Sequence, residues 1–287
     1  MTATYSSVQQ ARQVLADRLR DMRVDARLTG QEHARRCGWH AAKTSRIERG
    51  KTAPAADDIR TWCRICGADD QAADLVASLR AAEGMFIEWR RMERDGLRHA
   101  QEAIRPLYER TRRFRAYSSW VMPGIIQTPG YTEQVLRAVQ RWRALPDDVE
   151  QALESRVERQ RLLARADKVF AFVLEETVLR ATVVDAEAMA AQLGHLLEVA
   201  SLPNISLGVV PAATGREHWP VEDFWLYDDA QVNVELVSGY LTVTQPREIL
   251  MYAKTFARLA EAAVYGRDAR ALIRAAADGL SGPGKEP

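Results

Sequence analysis

The chain has 287 residues, 47% hydrophobic and 28% charged, with a formal net charge of +1. That length suggests two domains rather than one, and the composition allows a sizeable core. No apolar run approaches the roughly 20 residues of a membrane span. Three cysteines make no disulfide framework, and the polar Met1–Gln10 lacks the apolar region of a signal peptide. The expectation is a cytoplasmic protein with no membrane partner.

In chain order, Val8 to Ala26 has the spacing of a first helix, with Val14, Leu15, Leu19 and Met22 on its inner stripe and Arg12, Arg20 and Arg23 outside. Thr29 can cap a second helix, and Glu32 completes a capping box. His33, Ala34 and Cys37 then share a face, and Gly38 supplies a sharp exit. A third helix follows from about His40, with Thr44, Ile47 and Trp39 turned back into the fold. Two helices joined by a tight glycine turn are the frame of a helix-turn-helix, whose second helix enters the DNA major groove. Arg27 to Lys51 holds seven basic residues and two acidic ones, a local excess of 7 − 2 = +5 in a near-neutral chain, which suits phosphate contacts.

Pro54 closes this passage, Asp57 caps the next helix, Ile59, Trp62, Cys63 and Cys66 supply its buried face, and Gly67 ends it. Residues 8–70 are therefore expected to form a five-helix DNA-binding domain. Cys63-Arg64-Ile65-Cys66 has the form of a metal or redox pair, but no second pair accompanies it. The cysteines are assigned to the core, and no metal or other cofactor is expected.

Residues 71–115 keep a helical pattern and are taken as a connector. Leu75, Leu79, Met85, Phe86, Trp89 and Met92 suggest one long helix, and Leu97, Ile104, Leu107 and Phe114 another. Residues 116–278 alternate helices with β-branched runs. Thr132–Arg143 and a helix capped by Asp147 precede a buried strand at Val169–Leu174. Met189–Ala200 is a helix and Ile205–Val210 a strand. Phe224–Tyr227, Val232–Val237 and Tyr240–Val243 form an antiparallel meander. Helices from Pro246 to Val264 and from Ala269 to Ala277 follow, and residues 279–287 are expected to be a disordered tail. The fold class is mainly α with a smaller β component, α+β, the second domain being mixed α/β with a short, mostly antiparallel sheet.

No catalytic constellation is visible. Glu175 and Glu176 are adjacent, so they point to opposite sides of a strand end. The five histidines are scattered, and no phosphate-binding glycine loop or nucleophile elbow is present. The chain is expected not to be an enzyme. His218, Trp219, Phe224 and Trp225, with Tyr227, could line a ligand pocket or partner groove, with core packing the alternative.

Two resemblances sharpen this. The segment carrying Thr29, Glu32, Ala34, Gly38, Ser45, Arg46, Ile47, Glu48, Gly50 and Lys51 in one ungapped register resembles the helix-turn-helix of the Xre/Cro family. The resemblance implies that the start of the second helix, here His40, Ala41, Ala42, Lys43 and Arg46, reads base edges, with Arg46 as the guanine contact and Lys43 reaching guanine or phosphate. Arg49 and Lys51 would touch phosphate, and Thr29 and Ser45 complete the DNA-binding set. The family's phosphate-gripping glutamine is replaced by Gly30, whose backbone N–H or neighbouring Gln31 would stand in. Ala41 and Ala42 could touch only a thymine methyl, which shifts weight to Arg46 and to DNA shape. Glu48 would repel phosphate and is expected to pair with an arginine of the first helix.

The second half, through Pro123-Gly124 and Gln127-Thr128-Pro129, Arg156 with Glu158-Arg159-Gln160, Leu179-Arg180, Leu202-Pro203-Asn204-Ile205 and Val210-Pro211, is similar to the DUF5753 domain of WhiJ-like regulators of actinobacteria. That resemblance implies a transcriptional regulator, often with a small DUF397 (BldB-like) partner. One expectation is a sequence-specific homodimeric regulator of double-stranded DNA, bound at a pseudo-palindrome and associated with the nucleoid, whose C-terminal domain dimerises or binds a small protein or ligand. The other is an antitoxin-like protein that sequesters a DUF397-type partner and autoregulates its operon.

Overall fold

The computed structural model describes residues 7–84, 86–216 and 222–280. It divides into two compact units, Met1–Ile87 and Glu88–Pro287.

The first unit is a five-helix bundle of α1 (Ser7–Asp25), α2 (Gly30–Cys37), α3 (Ala41–Glu48), α4 (Ala56–Cys66) and α5 (Ala72–Gly84). Its core joins Leu15, Leu19 and Met22 of α1 to Ile47, to Ile59, Trp62 and Cys63, and to Leu75, Val76 and Leu79. The fifth helix thus comes from the stretch assigned by sequence to a connector; its apolar positions complete this core and carry the unit past residue 70. Val14, placed on the inner stripe, is 55% exposed, because the stripe passes through Leu15, Ala16 and Leu19 instead. Trp62 is fully enclosed and its indole N–H donates to the Leu19 carbonyl at 2.9 Å, which satisfies the one polar atom of a large buried side chain.

A three-residue strand, β1 (Phe86–Glu88), stands at the junction. The long connector helices are not formed. Short helices α6 (Trp89–Met92), α7 (Leu97–Ala103) and α8 (Arg105–Arg110) occupy that stretch, and Phe114 lies on the strand β2 (Arg113–Ser118). Gly96, at φ 97°, and Pro106 in the first turn of α8 interrupt the helical pattern. Beyond it come α9 (Pro129–Arg143), α10 (Val149–Gln160), β3 (Val169–Glu175), α11 (Glu176–Arg180), α12 (Ala186–Val199), β4 (Ile205–Val210), β5 (Phe224–Tyr227), β6 (Gln231–Glu235), β7 (Gly239–Val243), α13 (Pro246–Ala262) and α14 (Gly266–Leu280). Since α14 runs to Leu280, the expected tail begins later than residue 279, and the rest of it lies outside the described residues.

Six strands of the second unit lie in the order β7-β6-β5-β2-β3-β4. The meander half is antiparallel, but β2–β3 and β3–β4 are parallel, because α9–α10 and α11–α12 provide the crossovers that parallel neighbours need. Three of these five pairings are antiparallel, so the sheet is mixed but mostly antiparallel as expected, and the fold class is α+β. Helices cover both faces. On one, Phe114, Ala116, Phe170, Phe172 and Leu207 meet residues such as Tyr131, Leu193, Leu196 and Ile273. On the other, Tyr117, Phe224, Leu226, Val232 and Val243 meet Ile249, Phe256 and Leu259 of α13.

Candidate nucleic-acid interface

The turn between α2 and α3 is built locally. Thr29 Oγ1 accepts the Glu32 backbone N–H at 3.1 Å and starts α2. Only half of the expected capping box forms, since the Glu32 carboxylate pairs with Arg36 at 2.6 Å. Gly38, at φ 72°, ends α2, and Trp39 N–H returns to the Ala34 carbonyl at 2.8 Å. Gly50 ends the α3 passage at φ 64°, a left-handed backbone that favours glycine; a Cβ there would stand 2.8 Å from Gln13 Oε1, the movable tip of a flexible side chain.

Behind the turn, His33 is completely buried, 4.0 Å from the Trp62 ring centre, with Thr44 Oγ1 3.5 Å from Nδ1. Burial lowers its pKa to about 4, against an upward pull from Glu48, with Arg23 adding to the fall; the ring is neutral at physiological pH. Glu48 is held by Arg23 of α1 through Nε–Oε1 at 2.5 Å and Nη2–Oε2 at 3.2 Å, while Arg23 Nη1 donates to the Leu28 carbonyl at 2.5 Å. The expected salt bridge to the first helix is present, and it fixes the end of α3 against α1.

The outer surface sorts the candidate DNA-contacting residues. His40, Ala41, Ala42 and Arg46 are exposed along α3 and its start, with Ser45 half-buried beside them. Among the described residues the Arg46 side chain has no ion pair or hydrogen bond, and the same holds for exposed Arg27, Arg35, Arg49 and Lys51. Thr29, Gly30 and Gln31 lie together at the N-terminus of α2. Lys43 differs. Its Nζ lies 2.6 Å from Asp58 Oδ1 and 4.3 Å from the Trp39 ring centre, so an intramolecular carboxylate and an aromatic face already satisfy it. The expected cap residue of α4, Asp57, instead pairs with Arg60, and Asp58 Oδ2 accepts the Ala55 N–H at 3.0 Å.

The cysteines are core. Cys63 is fully buried and Cys66 half-buried beside the same cluster. Burial pushes the Cys37 and Cys66 thiols up to about 11 and also raises Cys63, the reverse of a reactive or metal-binding thiolate.

In the second unit, His218 and Trp219 lie outside the described residues. Phe224 is enclosed between the sheet and α13, so it cannot line an open groove. Trp225 points from the opposite face and is half-buried. Glu175 and Glu176 do diverge: Glu175 takes Tyr117 Oη–H at 2.7 Å and an Arg216 ion pair, whereas Glu176 accepts Ala212 N–H at 2.9 Å and pairs with Arg180.

A compact helical unit with a glycine-turned helix pair and an exposed basic face defines a helix-turn-helix DNA-binding regulator. Family models agree: a "Helix-turn-helix domain" matches residues 14–76 and a "Domain of unknown function (DUF5753)" matches residues 102–275. The latter spans more than half of the chain, and the protein belongs to the DUF5753 family. Among solved structures the chain is similar to TrmBL2, an archaeal chromatin protein, at 12% identity and a TM-score of 0.32, over 83% of this chain and 88% of that one. No curated protein matches the sequence. No helix among the described residues is long and apolar enough to cross a membrane.

Proposed function

We propose that the protein is a sequence-specific transcriptional regulator that lays α3 in the DNA major groove as a homodimer on a pseudo-palindromic operator. The observation that carries this reading is the outer face of α3, where exposed Arg46, one turn after the small Ala41 and Ala42, has no intramolecular partner among the described residues. A free guanidinium there suits a bidentate contact to guanine O6 and N7. Ala41 and Ala42 let the helix approach closely and can meet a thymine methyl. Phosphates fall to Arg49 and Lys51, and to the α2 start at Thr29, Gly30 and Gln31. Lys43, tied to Asp58 at 2.6 Å, serves as a positioning group rather than as a base contact.

The second unit carries dimerisation or the binding of a small partner, of DUF397 type or a ligand, and has no catalytic task; the protein works in the cytoplasm at the nucleoid. One helix-turn-helix gives too little contact for tight operator binding, which supports a dimer. The test is binding of the full-length protein to its own upstream DNA over a salt series, for wild type and Arg46→Ala. Specific binding by wild type, with about 1–3 kcal/mol of discrimination lost in the variant, upholds the reading. Equal affinity for upstream and unrelated DNA refutes it.

A further inference from the structure

The seven cations between Arg27 and Lys51 are not equally free. Arg36 pairs within its own helix, with Glu32. Lys43 alone of the seven, among the described residues, takes a carboxylate from another helix, that of Asp58 in α4. The contact is close, Nζ to Oδ1 at 2.6 Å, and the Trp39 ring centre lies 4.3 Å from the same ammonium. Asp58 is itself anchored. Its Oδ2 accepts the Ala55 N–H at 3.0 Å, and in the first turn of α4 it stands where the helix dipole favours a negative charge.

Lys43 precedes Arg46 by three residues, so the two project on the same side of α3. Both members of the pair keep contact with solvent, with 36% of the Lys43 side chain and 19% of the Asp58 side chain exposed. The pair therefore stands at the edge of the surface that α3 offers to DNA and not in the core.

An ammonium gripped by a carboxylate already has the company that a phosphate oxygen would give it. Sequence-independent affinity for DNA comes from counterions released when positive charge on the protein neutralises phosphates. A lysine whose charge is cancelled within the protein adds almost nothing to that release. A phosphate can claim Lys43 only by displacing Asp58, and it then faces the bare carboxylate. The exchange is open, because a part-exposed ion pair is weakly held in water, but it brings little gain.

We propose that Asp58 is an intramolecular stand-in for a DNA phosphate, which withholds Lys43 and so limits the affinity of the α3 surface for any duplex. Because the withheld contact is to the backbone, it weakens operator and unrelated DNA alike and leaves discrimination to Arg46. The inference rests on the reading of the first unit as a DNA-binding module, and adds to it the residue that sets its strength.

The test is fluorescence anisotropy of the full-length protein with its own upstream DNA and with an unrelated duplex, over a salt series. Asp58→Asn removes the charge and keeps an oxygen for the Ala55 N–H. It should tighten both duplexes about fivefold at low salt and steepen the plot of log affinity against log salt by about 1. The ratio between the two duplexes should stay as in wild type. A gain of affinity cannot come from damaged folding. The decisive comparison is Lys43→Gln against Lys43→Gln/Asp58→Asn, between which the steepening should vanish. A wild type that binds DNA while Asp58→Asn binds with unchanged slope overturns the inference alone, as does a steepening that persists without Lys43. Failure of every variant to bind either duplex at low salt overturns the DNA reading and this inference together.

Discussion

One carboxylate, that of Asp58, holds Lys43 with Oδ1 at 2.6 Å and the N-terminus of α4 with Oδ2 at 3.0 Å. Lys43 would otherwise be the second cation of the recognition helix. Its engagement leaves Arg46 as the exposed cationic side chain within α3.

Two substitutions should therefore part company. Arg46→Ala should lower operator binding while leaving stability within about 0.5 kcal/mol, as for an exposed side chain without partners. Lys43→Ala should keep the operator preference but destabilise the first unit by about 1 kcal/mol, through loss of a half-exposed ion pair and a cation–π contact. Fluorescence anisotropy with cognate and scrambled duplexes, alongside thermal melting, checks both; a Lys43→Ala loss of specificity equal to that of Arg46→Ala would reverse the assignment.

His33 makes the first unit acid-sensitive. Its folded pKa of about 4 lies below its ordinary value of 6.5, so between these values the unfolded chain takes up a proton that the fold refuses. Stability is complete above 6.5 and falls as pH drops through the window, by up to about 3 kcal/mol, with no further loss from this group once both states are protonated. Hydrogen exchange of the α2 and α4 amides in the full-length protein, corrected for intrinsic rates, should show this slope. His33→Gln should flatten it.

The elements written in local signals were legible. Gly38 and Gly67 end their helices at φ 72° and 68°, and β4 runs from Ile205 to Val210 as its β-branched run indicates. What escaped depends on distant partners. Strand β2 is central and hides behind Arg113 and Arg115, which look like a solvated helical face until Asp228 and Asp229 bring them their acceptors. Asp147 looks like the cap of α10, yet Asp148 occupies that position and its carboxylate caps α7 instead, accepting Leu97 N–H at 3.0 Å and Arg98 N–H at 2.9 Å. The same limit applied to the interface. The exposed arginines could be read from spacing, whereas the Lys43–Asp58 pair exists only because α4 packs back across 15 residues.

Lys168 should be one of the costliest positions in the second unit. It is fully buried and donates through Nζ to the carbonyls of Tyr108, Glu109 and Thr111 at 3.0, 2.9 and 2.5 Å. It thus closes the C-terminus of α8 with a positive charge where the helix dipole is negative. Burial, and then Arg165, lower its pKa, so the site tolerates the ammonium only because three acceptors surround it. Lys168→Met fills the volume but strands those carbonyls, and should cost about 3 kcal/mol. Scanning calorimetry of the full chain would register this as a downshift of the second unit's transition. An unchanged Tm would mean that water replaces the ammonium.

Ala144 offers the opposite case, a residue whose replacement should help. It ends α9 in the left-handed region at φ 51°, with its N–H on the Arg141 carbonyl at 3.4 Å, and it is exposed. A Cβ there crowds the adjoining carbonyl at a cost of about 1–2 kcal/mol, which glycine avoids. Glycine also gives the unfolded chain more freedom, which returns about 0.5–1 kcal/mol of that gain. Ala144→Gly should therefore stabilise the second unit by a net of about 0.5–1 kcal/mol. An Ala144→Val variant, whose branched Cβ fits the left-handed region worse than alanine, should move stability the other way. Urea unfolding of the three proteins would rank them, and a glycine variant less stable than wild type would show that the turn is held by contacts other than its own backbone.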